Sequence, residues 1–216
     1  MIRILTKHVF RKDIDQMSFV GIHITNEGLI AFGDSKATIK YKDGRTKEDT
    51  KRGQICKVFK NNKFIFVTFG NNELFSTKHK QNIEDYISSN LTNNMSYQEF
   101  FSIMQKRINE DEADYNDNTY KFIIGAKDND KYYICTCTIT PESFLLSNPT
   151  YSGCIVGGDE LYQKIFLAHT FYDDVPIVVY KEKIKQMIES IITMENVLND
   201  YKYNSVGFPV RVEIFQ

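Results

Sequence analysis

A chain of 216 residues with four Pro and eleven Gly is long for one domain and short for two, and it contains no low-complexity spacer between domains. The formal net charge of -1 gives no global reason to expect binding to nucleic acid or to an anionic membrane. The first residues contain no apolar block of signal-peptide length and no run approaches a membrane span, so a cytoplasmic protein is expected.

The cysteines and histidines show no spacing typical of a metal site or of a disulfide framework. Cys135 and Cys137 are two positions apart in a predicted strand, so their side chains should point to one face. We therefore predict buried, reduced thiols, and neither a metal ion nor another cofactor is expected.

In the first half of the chain, apolar runs and turn residues predict two hairpins. Runs at 19–24 and 29–32 flank Thr25-Asn26-Glu27-Gly28, which has the composition of a hairpin turn. The polar, lysine-rich stretch 35–54 is predicted to be a long exposed loop, and the second hairpin covers about 55–68.

Two helices should follow the second hairpin. Asn72 has the character of an N-cap, and spaced apolar residues predict a helix over 72–89. Ser96-Tyr97-Gln98-Glu99 is a capping-box pattern, and the apolar periodicity behind it continues to Ile108.

The second half is predicted to contain three strands, two helices and a last strand, at 120–126, 131–139, 143–146, 160–170, 181–199 and 208–215. The order strands, two helices, strands, two helices, strand predicts an α+β fold. Two sheets sandwiched between helix pairs, a four-layer αββα sandwich, would close such a fold. The broad apolar face of 184–198 fits either an ordinary core helix or a buried interface.

Four motifs in this order resemble the markers of proteasome β subunits and of the bacterial ring protease that partners an ATP-dependent unfoldase. They are Val20-Gly21-Ile22, Gly33-Asp34-Ser35-Lys36-Ala37-Thr38, Lys57-Val58 and Phe69-Gly70-Asn71-Asn72. The wider group is the N-terminal-nucleophile (Ntn) hydrolases, whose αββα fold agrees with the element order. The resemblance implies that residues 18–216 form one proteasome-like domain and that residues 1–17 are a leader or propeptide-like extension.

In that family the nucleophile is the first residue of the mature chain. Counting back from Gly33-Asp34 places it at Ser18, whereas counting from Val20-Gly21-Ile22 places it at Met17, and only Ser18 carries a hydroxyl. The resemblance implies further roles for other residues: the buried aspartate Asp34, the catalytic lysine Lys57, the oxyanion-hole glycine Gly70, the substrate-binding residues Lys36 and Thr38, and the supporting serine Ser205.

The chemistry of this set is coherent without the family. A lysine held between a carboxylate and a hydroxyl favours the deprotonated hydroxyl, and a glycine lets a backbone N–H approach a developing oxyanion. A plain buried salt bridge between Asp34 and Lys57 would look identical in the sequence.

The chain also departs from the family pattern. Met17 stands where self-cleaving members usually have Gly, and Gly157-Gly158-Asp159 lacks the serine of the family's Gly-Ser-Gly. Asp200 lies two positions too early to match the family's C-terminal aspartate. These departures leave both the removal of the leader and the activity open.

Three functions remain open from the sequence. The first is a peptidase that cleaves unfolded peptides inside a homo-oligomeric ring, with an ATP-dependent unfoldase as a candidate partner; Lys36 and the region around Lys63 would then favour acidic side chains. The second is a non-catalytic ring-forming subunit whose retained leader fills the cleft. The third is an unrelated α+β binding module.

Overall fold

The computed structural model describes residues 18–40, 46–49, 51–71, 73–75, 80–110, 119–169, 175–198 and 205–216. The leader predicted at 1–17, the N-cap predicted at Asn72, and Asp200 lie outside these residues. The described part combines helices with antiparallel sheets, as the element order predicted.

A four-stranded antiparallel sheet is built around the first predicted hairpin, which is confirmed as β1 (Phe19–Thr25) and β2 (Gly28–Gly33). The last strand of the chain (Arg211–Phe215) pairs with β2, and a strand at Cys154–Gly158 pairs with β1. This strand at Cys154–Gly158 was not predicted, because its two glycines indicate a break rather than a strand. β1 and β2 are the two central strands of this sheet, and the start of β1 and the end of β2 lie at the same end of it.

The second sheet has five antiparallel strands. Three pairs of its strands are adjacent in sequence: the hairpins predicted near 55–68 and 120–139, and the strand Lys131–Ile139 with Phe144–Leu146. Val58, the first residue of its strand, lies opposite Val67. In spatial order the strands are Phe144–Leu146, Lys131–Ile139, Tyr120–Asp128, Phe64–Gly70 and Val58–Lys60.

The stretch predicted as a long exposed loop, 35–54, is partly paired and partly buried. β3 (Thr38–Lys40) and β4 (Thr46–Glu48) form a short hairpin. Ahead of it, the carbonyl of Ser35 accepts a hydrogen bond from the amide of Ile55 at 3.0 Å, and Ser35 is buried. The exposed-loop prediction is therefore wrong, because polar side chains do not prevent backbone pairing.

The helix predicted over 72–89 is wrong in its first half. A second short hairpin, Glu73–Phe75 with Lys80–Asn82, occupies that part, and helix α1 covers only Ile83–Asn90. Seven consecutive polar residues at 76–82 interrupt the apolar periodicity on which the helix prediction rested.

The next helix, α2 (Tyr97–Glu110), begins as the capping pattern predicted, with the hydroxyl of Ser96 accepting from the amide of Glu99 at 3.2 Å. Helix α3 covers Glu160–Leu167 and helix α4 covers Ile177–Leu198. The last helix thus begins four residues before the predicted start at 181, directly after Pro176, a residue favoured at helix starts.

Three clusters of buried apolar side chains hold these elements together. The first joins α1 and α2 to the five-stranded sheet and includes Phe101 and Phe122. The second joins α3 and α4 to the four-stranded sheet and includes Phe166. The third contains residues of both sheets, among them Ile22 and Ile65, so the two sheets pack on each other. Burial of each Phe or Ile side chain stabilises the folded state by about 2–3 kcal/mol.

Among the helices that the structure describes, none has the length and hydropathy of a membrane span.

Candidate functional site

Asp34 and Lys57 form a completely buried ion pair. The Nζ atom of Lys57 donates to Oδ1 of Asp34 at 2.8 Å, and neither side chain is exposed to solvent. Asp34 follows the last residue of β2, and Lys57 directly precedes the strand Val58–Lys60, so strand ends of the two sheets carry the two charges. The structure thus brings these two predicted site residues into contact.

The carboxylate of Asp34 is held by three backbone amides in addition to Lys57. Its Oδ1 accepts from the amide of Phe19 at 2.9 Å, and its Oδ2 accepts from the amides of Lys36 at 3.1 Å and Gly207 at 3.3 Å. Burial of a carboxylate costs several kcal/mol unless its oxygens are bonded in this way. The Lys36 amide is two residues from Asp34, whereas the amides of Phe19 and Gly207 lie 15 and 173 positions away, and all three converge on one side chain.

The ammonium group of Lys57 has a second acceptor, the carbonyl of Lys36 at 3.2 Å. An ammonium carries three N–H groups. Within the described part of the chain, Asp34 and the Lys36 carbonyl are the acceptors found for them.

Ser18 is fully buried, and its backbone lies beside the ion pair. The amide of the next residue, Phe19, donates to the carboxylate of Asp34. The carbonyl of Ser18 accepts from the amide of Asp159 at 2.7 Å. Gly158 has a φ of +101°, and a Cβ there would overlap the carbonyl oxygen of Ser18. A glycine is therefore needed next to Asp159 for the chain to reach Ser18.

Gly70, the predicted oxyanion donor, is the last residue of the strand Phe64–Gly70 and has a φ of +88°. It lies two positions after Thr68, whose amide donates to the carbonyl of Lys57 at 3.1 Å. Because Thr68 pairs with Lys57, Gly70 lies two residues beyond Lys57 along the neighbouring strand.

The two predicted substrate-binding residues differ in exposure. Lys36 is buried, with its aliphatic stem against Gly207, and burial lowers the pKa of its amine. Thr38, at the start of β3, is half-buried. Lys63 lies at the far end of its hairpin, four residues from Val67 or roughly 13 Å along the strand. Lys63 lines a groove together with Tyr97 and Tyr133, and a pocket that it shares with Lys36 stays a prediction.

Ser205 pairs with an acidic residue for which the motifs predicted no role. Its hydroxyl donates to Oδ2 of Asp159 at 3.0 Å. Oδ1 of Asp159 caps α3 by accepting from the amides of Leu161 at 3.0 Å and Tyr162 at 3.5 Å. The sequence signal was an Asp directly before a helix, which is typical of an N-cap, but nothing local could reveal the contact with Ser205.

The arrangement combines a buried carboxylate, an ammonium group and the backbone of a serine. Such a set can hold a serine in a fixed position and stabilise negative charge near it. Among the described residues, no group of three or more His, Cys, Asp or Glu side chains could hold a metal ion. The groups that the described site supplies include the carboxylate of Asp34, the ammonium group of Lys57 and backbone amides.

No protein-family model matches the chain, and no curated protein does. Several solved structures are similar in fold, among them two Anbu proteins. Anbu (ancestral beta-subunit) from Yersinia bercovieri is 16% identical with a TM-score of 0.50, over 92% of this chain and 81% of that one. The Anbu complex from Pseudomonas aeruginosa, described as a helical assembly, is 13% identical with a TM-score of 0.50, over 91% and 80% of the two chains.

These neighbours correct the relationship inferred from the motifs. The motifs resembled proteasome β subunits and the bacterial ring protease, whereas the similar solved structures are Anbu proteins. The assignment to the first two groups was therefore wrong. Its four short motifs are too brief to separate related groups that share one fold.

Proposed function

We propose that this chain is an Anbu-like, proteasome-like subunit of the Ntn type that assembles with copies of itself and hydrolyses peptide bonds in unfolded polypeptides. The observation that carries the proposal is the carboxylate of Asp34. One of its oxygens binds both the ammonium group of Lys57 and the amide directly after Ser18. A structural salt bridge has no need to hold the backbone of a serine as well.

In this proposal Ser18 is the nucleophile. Its Oγ bonds to the carbonyl carbon of the substrate, and the hydroxyl proton passes to the α-amine of Ser18 and then to the leaving amine. Lys57 stabilises the developing alkoxide and Asp34 orients Lys57, while the N–H of Gly70 donates to the oxyanion. Water then hydrolyses the ester and restores the Ser18 hydroxyl.

This mechanism requires a free α-amine, so the bond between Met17 and Ser18 has to be cleaved. Residues 1–17 are then a removable leader, and residues 18–216 form the working domain. Ser18 is fully buried, which agrees with a position inside a cleft that substrate reaches only after the leader has left.

The proposal includes a four-layer αββα arrangement. Each sheet shares a cluster of buried side chains with one helix pair, and a third cluster contains residues of both sheets. Such packing supports the layer order helices, sheet, sheet, helices.

A non-catalytic assembly subunit is the second candidate, and the surface of the last two helices supports the self-assembly that both candidates share. A groove of about 640 Å³ is lined by residues of α4 and by Phe208. The groove lining includes the exposed apolar residues Met194, Val197 and Leu198, and α3 and α4 carry further exposed apolar side chains: Leu161, Leu167, Val178 and Val179. Exposed apolar surface of this extent is typical of protein interfaces, and the helical assembly of the Pseudomonas aeruginosa protein supports self-association here.

Intact-mass measurement and peptide turnover separate the two candidates. A chain that begins at Ser18 and turns over unfolded peptides, with turnover abolished by Ser18→Ala and unchanged by Ser89→Ala on the exposed side of α1, supports the enzyme. A purified chain that keeps residues 1–17 and has no turnover supports the non-catalytic subunit.

Light scattering tests assembly for both candidates. We expect Val197→Glu, in the groove on α4, to reduce the particle mass, whereas Asn148→Glu places the same charge on an exposed residue of another surface and should leave the mass unchanged. A wild-type monomer would contradict both.

A further inference from the structure

A short segment, 205–207, connects two acidic side chains that are far apart in the sequence. At one end the hydroxyl of Ser205 donates to Oδ2 of Asp159 at 3.0 Å. At the other end the amide of Gly207 donates to Oδ2 of Asp34 at 3.3 Å, and its carbonyl accepts from the amide of Ser35, also at 3.3 Å. Asp159 and Asp34 are therefore linked through three residues.

Both acidic residues also hold the backbone at Ser18, from opposite sides of one peptide bond. The amide of Asp159 binds the carbonyl of Ser18 at 2.7 Å, and the carboxylate of Asp34 binds the amide of Phe19 at 2.9 Å. Segment 205–207 thus closes a ring of hydrogen bonds that contains Ser18 and the carboxylate of Asp34.

We propose that Asp159 and Ser205 are positioning residues, which fix segment 205–207 so that Gly207 holds Asp34 in contact with Lys57. Capping of α3 needs only one oxygen of Asp159, and the other oxygen makes the bond to Ser205. Ser205 is buried, so water does not readily replace its hydrogen bond to Asp159. The structural part of this inference stands alone, and its effect on catalysis rests on the proposed function.

Two substitutions of Asp159 separate positioning from helix capping. Asp159→Ser keeps a good N-cap for α3 but is too short to reach Ser205, whereas Asp159→Asn keeps the cap and can still hydrogen-bond the Ser205 hydroxyl. Amide hydrogen exchange in the full chain, measured by mass spectrometry on fragments, reports on both segments. We expect Asp159→Ser to speed exchange about five- to tenfold over 205–207, with α3 unchanged, and Asp159→Asn to leave both as in the wild type.

A second variant keeps the test decisive if Asp159→Ser fails to fold. Ser205→Ala should speed exchange over 205–207 to the same extent, whereas Ser89→Ala, which removes an exposed hydroxyl on α1, should not. The double variant Asp159→Ser/Ser205→Ala should be no faster than either single variant, because one shared hydrogen bond is lost. Unchanged exchange over 205–207, or faster exchange confined to α3, would overturn the proposal.

Peptide turnover adds a readout that a purely structural role would not change. We expect Asp159→Ser to lower kcat about five- to tenfold with KM unchanged, because neither residue contacts substrate in this arrangement, and Asp159→Asn to restore kcat. If exchange responds and the wild type has no turnover, the proposed function fails and the positioning role stands. If the wild type turns over peptides and the Asp159 and Ser205 variants match it in both exchange and kcat, the positioning role fails.

Discussion

The ammonium group of Lys57 and the carboxylate of Asp34 lie 2.8 Å apart and are completely buried. The two groups differ in how many further hydrogen bonds they make with the rest of the chain. Without Lys57, Asp34 keeps three backbone donors. Without Asp34, Lys57 keeps one acceptor among the described residues, the carbonyl of Lys36.

We therefore expect Asp34→Ala to destabilise the protein more than Lys57→Met does. Removal of one partner from a buried pair costs about 3–5 kcal/mol, and we expect Asp34→Ala near the upper value and Lys57→Met near the lower one. Urea unfolding measures both. The exposed pair Lys60–Glu213, at 2.9 Å, is the control, because Lys60→Met should cost less than about 1 kcal/mol. Equal losses for the two buried variants would contradict the asymmetry.

Gly158 should tolerate no side chain. Alanine there would have to adopt a φ of +101° and would overlap the carbonyl oxygen of Ser18, so we expect Gly158→Ala to lower the free energy of unfolding by about 3 kcal/mol or more. Gly153 has a φ of +83° with open space around it, so Gly153→Ala isolates the backbone strain, about 1–2 kcal/mol. Similar losses for the two would show that the contact with Ser18 is unimportant.

The two cysteines of the strand Lys131–Ile139 should be unreactive in the folded protein. Burial raises the pKa of the Cys135 thiol to about 11 and raises the pKa of Cys137 as well. At pH 8 roughly one Cys135 thiol in a thousand is then ionised. We expect iodoacetamide to label Cys56, which is half-buried, and to spare the other two until urea is added. Cys56→Ser should remove the fast labelling; rapid labelling of Cys137 in the native protein would refute the burial argument.

Glu84 should make stability depend on pH. Its carboxylate accepts from Nη2 of Arg52 at 2.9 Å, yet burial is the larger effect and raises its pKa above the ordinary value of 4.5. A raised pKa means that the folded state holds the proton more strongly than the unfolded state does. The stabilisation is thus present below pH 4.5 and is lost as pH rises through the folded-state pKa.

We expect Glu84→Gln to flatten the fall in unfolding free energy above pH 4.5, measured by urea unfolding at several pH values. Glu182→Gln, on the exposed side of α4, is the control and should leave the profile unchanged. A wild-type profile identical to that of Glu84→Gln would mean that the carboxylate is not perturbed.

Local signals in the sequence predicted much of the fold. Alternating and continuous apolar runs predicted the hairpin β1–β2, and Ser96 with Glu99 predicted the start of α2, because both depend on neighbours within a few residues. The strand at Cys154–Gly158 was missed because it pairs with β1, which lies far earlier in the chain. The hairpin β3–β4 was missed because its strands are only three residues long and lie in a polar stretch.

In the candidate site, too, the sequence predicted individual residues but not the contacts between residues that are distant in the chain. The motifs drew attention to Asp34 and Lys57, which the structure places in contact, although their catalytic role stays a prediction. They could not reveal that Gly207 completes the surroundings of Asp34 or that Asp159 binds Ser205, because those contacts join residues 173 and 46 positions apart.

The hydrogen bond from Gly207 to Asp34 also has a consequence for biosynthesis. A ribosome makes Asp34 long before Gly207, and the two residues are 173 positions apart. During that interval the nascent chain cannot complete the set of donors around this carboxylate, even if the first hairpin has already formed. The ion pair thus reaches its final surroundings only after the segment that precedes the last strand has emerged.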